Sequence, residues 1–394
     1  MRNSKETLIR PVGAPQSLSK PIVTPLSTAV AFASNTPDEL DAQYEGREQG
    51  FTYAREGHPN ASVLAERLDR LEGVQGGIVT SSGMSAVFAA LAGTLSAGDH
   101  VIGGDQLYGR SLRLMSEDLP RFGIETSLAD PTDAEAFAKA IKPNTKAVLI
   151  EVVSNPTLRV ADMEGIAQLC AERRIALMVD NTFTTPRAYK PFENGADIVI
   201  HSVTKLLAGH SDVTLGYVAA KDAALQKKIY DFAVTTGMTA SPFDCWLAER
   251  GLATFDLRFE RAQSNALALA DHLATLKGVK RVLYPMRSDH PDHARAHALL
   301  GGQGCNMVSF EVGGGRPAAN ALARAAEGIA FAPTLGDVGT TLSHAASSSH
   351  RALSAEAREA LGMSEGFFRV SVGLEDSDAL NAVFTQAVEA ANQV

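Results

Sequence analysis

Between about residues 74 and 220 the chain repeats one pattern: a short, nearly continuous apolar run rich in β-formers, then a stretch of helical periodicity. The runs fall at 77–80, 100–103, 147–152, 176–180, 198–201 and 215–219. Strands without a polar face must be covered on both sides, and strands spaced by helices favour parallel crossovers. The pattern therefore predicts an α/β fold with a large, mostly parallel sheet between helices. Ligands of such sheets gather beyond the carboxyl ends of the strands, where Thr80, Asp180 and His201 lead into loops.

A long helical stretch over 241–276, with Gly251 as an interior break, leads out of this region. The remainder offers strands at 279–283, 307–312 and 367–372 and helices near 316–327 and 376–392, as in a small α/β domain. Residues 1–60 are rich in Pro, Thr and Ser and read as an extended arm that lies against something else. The expected organisation is an arm over 1–60, a large domain over 61–255 and a small carboxyl-terminal domain over 256–394.

The net charge of −9 argues against nucleic acid or an anionic membrane as the main partner. No apolar run approaches the roughly 18 residues of a membrane span. The first residues lack the apolar core of a secretion signal. Cys170, Cys245 and Cys305 have neither metal nor redox spacing and read as small core residues of a reducing compartment, so a cytoplasmic location is expected.

Lys205 follows the apolar run 198–201 within Ser202-Val-Thr-Lys205, and Asp180 closes the run before it. An amine flanked by hydroxyls, with a carboxylate at a strand end, is what pyridoxal phosphate chemistry requires. The lysine tethers the aldehyde, Ser202 and Thr204 can hydrogen-bond the phosphate, and Asp180 keeps the ring nitrogen protonated so that the ring accepts electrons. Taken singly, the features have plainer readings: a solvated lysine, or an aspartate capping a helix from Thr182 onward. Ser82, Gly83 and Met84 stand at a strand-to-helix junction whose free amides suit a phosphate, or simply cap a helix. The segment lacks GxGxxG, which discounts a nicotinamide site. Arg369 interrupts an otherwise apolar strand, a costly position for a guanidinium without an anionic partner.

These motifs resemble, in order and nearly end to end, the Cys/Met-metabolism (trans-sulfuration) family of pyridoxal phosphate enzymes. The resemblance is carried by Tyr53-Ala-Arg55, Ser81-Ser-Gly-Met-Ser-Ala86, Tyr108-Gly-Arg110, Ser154-Asn-Pro156, Val179-Asp-Asn-Thr-Phe183, Ser202-Val-Thr-Lys205, Gly209-His-Ser-Asp212 and Phe368-Arg-Val-Ser-Val-Gly-Leu-Glu-Asp376. It implies the aspartate-aminotransferase-like fold (fold type I) and a homotetramer built from two active-site-sharing dimers. It further implies that Tyr53 and Arg55 bind the phosphate of the neighbouring subunit's cofactor. Tyr108 would stack over the pyridine ring and assist proton transfer, with Thr182 and Asn155 also at the cofactor, Asn155 at its phenolic oxygen. Arg369 would clamp the substrate carboxylate, in a substrate site shared with Asn155, Thr334 and Arg110.

The resemblance implies γ-elimination or γ-replacement on a sulfur-containing or homoserine-derived L-amino acid, with Lys205 moving the Cα proton and Tyr108 or Lys205 protonating the leaving group. Cystathionine-handling γ-enzymes of the family tend to carry an acid just before the loop 334–350, where this chain has Pro333, which weakens a cystathionine assignment. Arg110 stands where relatives have a small residue or a cysteine, and suits an anionic γ-substituent such as a succinyl ester or simply turns outward. Leu206, Ala345 and His58-Pro-Asn60 depart from the family pattern without removing a cofactor contact. The alternatives are cystathionine β-lyase, an O-acyl-homoserine sulfhydrylase, and a γ-lyase for an oxygen-linked amino acid such as canavanine. A catalytically silent relative is a different class, and an apoprotein that never takes up the cofactor would favour it.

Overall fold

The computed structural model describes residues 17–351 and 353–394. The start of the expected arm and the reading of the first residues as lacking a secretion signal lie outside them. Among the described residues twelve strands form two sheets. The larger contains β1 (Ile78–Thr80), β2 (His100–Gly104), β3 (Glu125–Ala129), β4 (Thr145–Glu151), β5 (Ala176–Asp180), β6 (Ile198–Ser202) and β7 (Gly216–Ala220). Their order is β1-β7-β6-β5-β4-β2-β3. All neighbours are parallel except β7, which runs against both β1 and β6. The two reversals return β1 to the direction of β6, so Thr80, Glu151, Asp180 and Ser202 end at the same edge of the sheet.

The apolar runs predict this because both faces are indeed covered. Ile198, Ile200, Met178 and Leu149 pack into one buried layer, while Val199, Val179, Leu177 and Val148 pack into the other. Alternating residues of one strand thus serve opposite faces. The helix Gly83–Thr94 can approach the sheet closely because Ala86, Ala89 and Ala90 form its buried side.

The second sheet has the order β10-β11-β12-β9-β8, from β8 (Val279–Leu283), β9 (Met307–Val312), β10 (Ala330–Phe331), β11 (Thr341–His344) and β12 (Phe367–Ser371). Only the β10–β11 pair is parallel. A mostly parallel large sheet with a smaller sheet beside it is the architecture expected. The 21-residue helix Phe255–Thr275, roughly 30 Å long at 1.5 Å per residue, spans both cores. Its Phe255 and Phe259 pack with the large sheet, and Ala266, Leu269, Ala270 and Leu273 with the small one.

Three features differ from the sequence reading. The strands β3, β10 and β11 were not anticipated. The stretch 241–276 divides at Ala253–Thr254, leaving Gly251 inside the helix Pro242–Leu252. Gly251 is there for close approach, since a Cβ would lie 2.2 Å from the Ala208 carbonyl oxygen. The amino-terminal segment contains a helix, Pro37–Tyr44, capped by Thr36. The rest of it is held by side chains: Trp246 donates to Thr24 O at 2.9 Å, Thr24 Oγ1 to Glu249 at 2.6 Å, and Asn60 to Pro25 O at 3.0 Å. No helix among the described residues is long and apolar enough to cross a membrane.

Candidate active site

The carboxyl ends of β4, β5 and β6 and the start of the helix Gly83–Thr94 form the floor of a cavity of about 680 Å³; the loop before β11 and one residue of β12 form its far wall. Of the residues singled out from the sequence, Ser82, Gly83, Met84, Tyr108, Arg110, Asn155, Asp180, Thr182, Ser202, Thr204, Lys205, Thr334 and Arg369 all line it. Tyr53 and Arg55 do not. They sit on the amino-terminal arm, with the Arg55 guanidinium 5.3 Å from the Tyr53 ring centre and 3.7 Å from the Glu56 carboxylate.

Lys205 lies in a single tight turn after β6, where its own N–H donates to Ser202 O and its carbonyl accepts from Gly209 N. Arg258, 6% exposed, fixes that turn from behind by donating to the carbonyls of Leu206 (2.7 Å), Leu207 (3.0 Å) and Gly251 (2.9 Å). The Lys205 amine points to Thr334 Oγ1 at 3.5 Å. Burial, and then the neighbouring Arg369 guanidinium, lowers its pKa to about 8, because both oppose a second positive charge there.

Asp180 accepts two hydrogen bonds from Thr182, from N at 3.1 Å and Oγ1 at 2.5 Å. The same hydroxyl accepts from Ser202 N at 2.9 Å, so Thr182 ties the ends of β5 and β6 together. Burial raises the Asp180 pKa while the Thr182 bonds and His201 oppose that rise. Ser82 caps the helix Gly83–Thr94 by accepting from Ser85 N at 3.1 Å. The N–H groups of Gly83 and Met84 open the helix and have no acceptor within it. Gly83 is required by contact: a Cβ would lie 2.7 Å from Ser202 Cβ. Helix start and Ser202 therefore meet as one polar cradle. Thr204 is placed differently from Ser202, because its hydroxyl donates to Leu215 O (3.1 Å) and accepts from Leu215 N (2.9 Å).

Arg369 reaches the cavity because β12 alternates. Phe368 and Val370 enter the small-sheet core, which sends Arg369 to the other face. It donates to Asn155 Oδ1 at 2.7 Å and to Thr334 O at 2.9 Å, while its Nε is buried without a partner. Burial lowers its pKa to about 10, which leaves it charged at neutral pH. Several groups of the wall, Arg113 and Glu117 among them, were missed in the sequence, and two matter to the site. Glu151 ends β4 beside Asp180, and its strand-ending position was the available signal. Arg351 was the other, on a loop whose approach to the cavity no local pattern reveals.

The donor set fits pyridoxal phosphate. A half-buried amine of lowered pKa suits the aldehyde, the cradle of helix N–H groups and Ser202 suits the phosphate, and the Asp180 carboxylate suits the ring nitrogen. Residues 7–389 match the family model described as Cys/Met metabolism PLP-dependent enzyme. The chain is 39% identical over 371 residues to a cystathionine beta-lyase of Bacillus subtilis, covering 93% of this chain and 92% of that one. It is 35% identical over 379 residues to an L-methionine gamma-lyase of Fusobacterium nucleatum, covering 96% of each. A solved Campylobacter jejuni chain that carries a pyridoxyl-lysine phosphate superposes with a TM-score of 0.90 at 28% identity, covering 95% of this chain and 97% of that one. With its fold, its lysine cavity and this near end-to-end likeness, the chain belongs to the Cys/Met metabolism family of pyridoxal-phosphate-dependent enzymes.

Proposed function

We propose that the enzyme carries out γ-elimination or γ-replacement on a sulfur-containing or homoserine-derived L-amino acid, with elimination the main outcome. The observation that carries this is the convergence of Lys205, Asp180 and Arg369 on one cavity. When bound, pyridoxal phosphate supplies an electron sink for the substrate's α-carbon. Lys205 would hold the cofactor's aldehyde, and its amine would serve as the base for the protons at Cα and Cβ. Arg369 receives the α-carboxylate, for which its buried, unpartnered Nε and its planar fork are suited. Asn155 and Thr334 hold that fork in place. Tyr108 or Lys205 would supply the proton to the departing γ-substituent. Asp180 would hold the ring nitrogen's proton, Thr182 fixes Asp180, and Ser82, Gly83, Met84 and Ser202 would receive the phosphate, with Thr204 bracing Leu215 beside them.

The mouth of the cavity supports an anionic γ-substituent. Arg110 and Arg351 line it and are exposed, and neither has an ion-pair partner among the described residues, whereas Arg113 is paired with Glu117 at 3.4 Å. Pro333, at the same wall, offers no carboxylate for a distal ammonium. O-acyl-homoserines bearing a free carboxylate fit this mouth better than cystathionine or methionine. Incubation with O-succinyl- and O-acetylhomoserine, methionine, homocysteine, cystathionine and canavanine, followed by product identification, tests the reading. We expect 2-oxobutanoate and ammonia, or a γ-adduct when a thiol is present. We also expect Arg110→Ala to raise KM for the succinyl ester about tenfold, roughly one charge-assisted hydrogen bond, and to leave KM for the acetyl ester within about twofold. Pyruvate as the main product would instead favour β-elimination of cystathionine, the reaction in the name of the Bacillus relative.

The lowered Lys205 pKa gives a pH signature. Only the neutral amine attacks an aldehyde, and the neutral form accumulates as pH rises through the pKa. Uptake of pyridoxal phosphate by the cofactor-free protein is expected to accelerate roughly tenfold per pH unit below the pKa and to flatten above about 8. Stopped-flow absorbance measures this; a rate climbing without a break to the ordinary lysine value of 10.5 contradicts it.

The domain division into 1–60, 61–255 and 256–394, and a cytoplasmic homotetramer of active-site-sharing dimers, complete the proposal. The exposed apolar side chains of the arm, Leu18, Ile22, Val23, Leu26 and Val30, support a second subunit covering it. The same packing is what would bring Tyr53 and Arg55 to the neighbouring cofactor's phosphate. The three free cysteines, all buried, suit a reducing compartment.

A further inference from the structure

We infer that Glu151 is a positioning residue: an uncharged carboxyl that fixes Tyr108 through its backbone N–H and leaves Asp180 as the single anion of a side-by-side pair. The inference rests on the reading that Asp180 and Tyr108 serve the cofactor. Glu151 and Asp180 are register partners on the parallel strands β4 and β5, so their side chains leave adjacent strands on the same face. Both line the cavity.

Their hydrogen bonding is unequal. Asp180 accepts twice from Thr182, as an ionised carboxylate does. Glu151 accepts from Tyr108 N at 2.6 Å, with the Asn155 backbone N–H as a weaker second donor, and its Oε2 is buried without a partner. Two adjacent carboxylates in a water-poor wall do not both ionise, and the one with an oxygen buried without a donor, Glu151, keeps the proton. Burial, and then the Asp180 charge, pushes Glu151 well above the usual carboxylate range. The other titratable groups of the wall do not reverse this. Arg369 is committed to Asn155 and Thr334, and Lys205 points to Thr334.

The contact with Tyr108 gives Glu151 its role. Tyr108 stands at the amino end of the short helix Gly109–Arg113, the residue is 39% exposed, and its hydroxyl has no hydrogen-bond partner among the described residues. The backbone bond to Glu151 is therefore what ties this residue to the sheet. An ionised Glu151 would in addition place a second negative charge beside Asp180 and strengthen the hold on the ring nitrogen's proton.

The test compares wild-type holoenzyme with Glu151→Gln and Glu151→Ala. An uncharged Glu151 predicts a protonated-carboxyl band in infrared difference spectra of the wild type that is lost in Glu151→Gln. It also predicts that the pH midpoint of the bound cofactor's visible absorbance moves by less than about 0.3 unit in Glu151→Gln, because no charge is removed. Glu151→Ala, which frees Tyr108, is expected to lower kcat at least about tenfold with KM within about threefold. A midpoint shift of about one unit or more in Glu151→Gln, no such infrared band, or a Glu151→Ala kcat within about twofold of wild type overturns the inference. The infrared band does not depend on the cofactor. Loss of the visible band from the wild type itself would count against the Lys205 reading instead.

Discussion

Replacing Lys205 by alanine is expected to lower turnover by at least about 10³-fold, because one side chain serves both as covalent tether and as base. The fold should survive. Lys205 is partly exposed, and its own hydrogen bond, to Thr334 Oγ1, is long at 3.5 Å. Removing this cation also relieves the repulsion from Arg369 that contributes to the lowered Lys205 pKa. The variant should therefore keep its thermal midpoint while retaining pyridoxal phosphate only weakly, as gel filtration followed by absorbance would show. Residual activity above about a hundredth of wild type would contradict the assignment.

The second large effect is expected at Arg369. Arg369→Ala removes the proposed carboxylate clamp and leaves Asn155 Oδ1 and Thr334 O without their donor. Truncating a buried, hydrogen-bonded charge costs about 2–5 kcal/mol. At the middle of that range kcat/KM falls about 10²–10³-fold, most of it in KM if the contact forms before the chemical step. Arg369→Lys keeps the charge but loses the two-pronged geometry, and should recover only part of the loss. Saturation kinetics with cofactor content held at wild-type level checks this. A KM within about twofold of wild type in Arg369→Ala would remove the residue from the substrate site.

The sequence disclosed most where apolar patterning decides the outcome. The strands β5, β8 and β9 have the bounds expected of them; the apolar runs of β5 and β9 end where the chain meets a loop, and β8 buries only its last two residues. Strand β3 escaped notice because it is an edge strand, with exposed or half-buried residues along most of its length. Strand β11 escaped for the opposite reason: it is buried yet polar, and its hydroxyls are satisfied by partners remote in sequence, such as Ser343 Oγ donating to Arg369 O at 3.3 Å. The helix Pro37–Tyr44 carried a legible signal in Thr36-Pro37, a capping residue and an N1 proline, within a segment read as extended.

The cavity was legible for a chemical reason. Most residues expected there are polar or small residues at a strand end, a helix start or a loop, and Arg369 is a charge inside an apolar strand, where covering the sheet gives no reason for it. Glu151 was hidden because a carboxylate at the end of a strand is ordinary until the strand's neighbour is known. Only the register of β4 against β5 sets it beside Asp180. The unequal roles of Ser202 and Thr204 were hidden too, since only the fold shows Thr204 bracing Leu215.

The most direct measurement is borohydride reduction of the purified holoprotein, followed by peptide mass spectrometry. The account predicts one pyridoxyl-phosphate adduct per chain, on the amine three residues beyond Ser202. An adduct on any other side chain, or none at all, contradicts it.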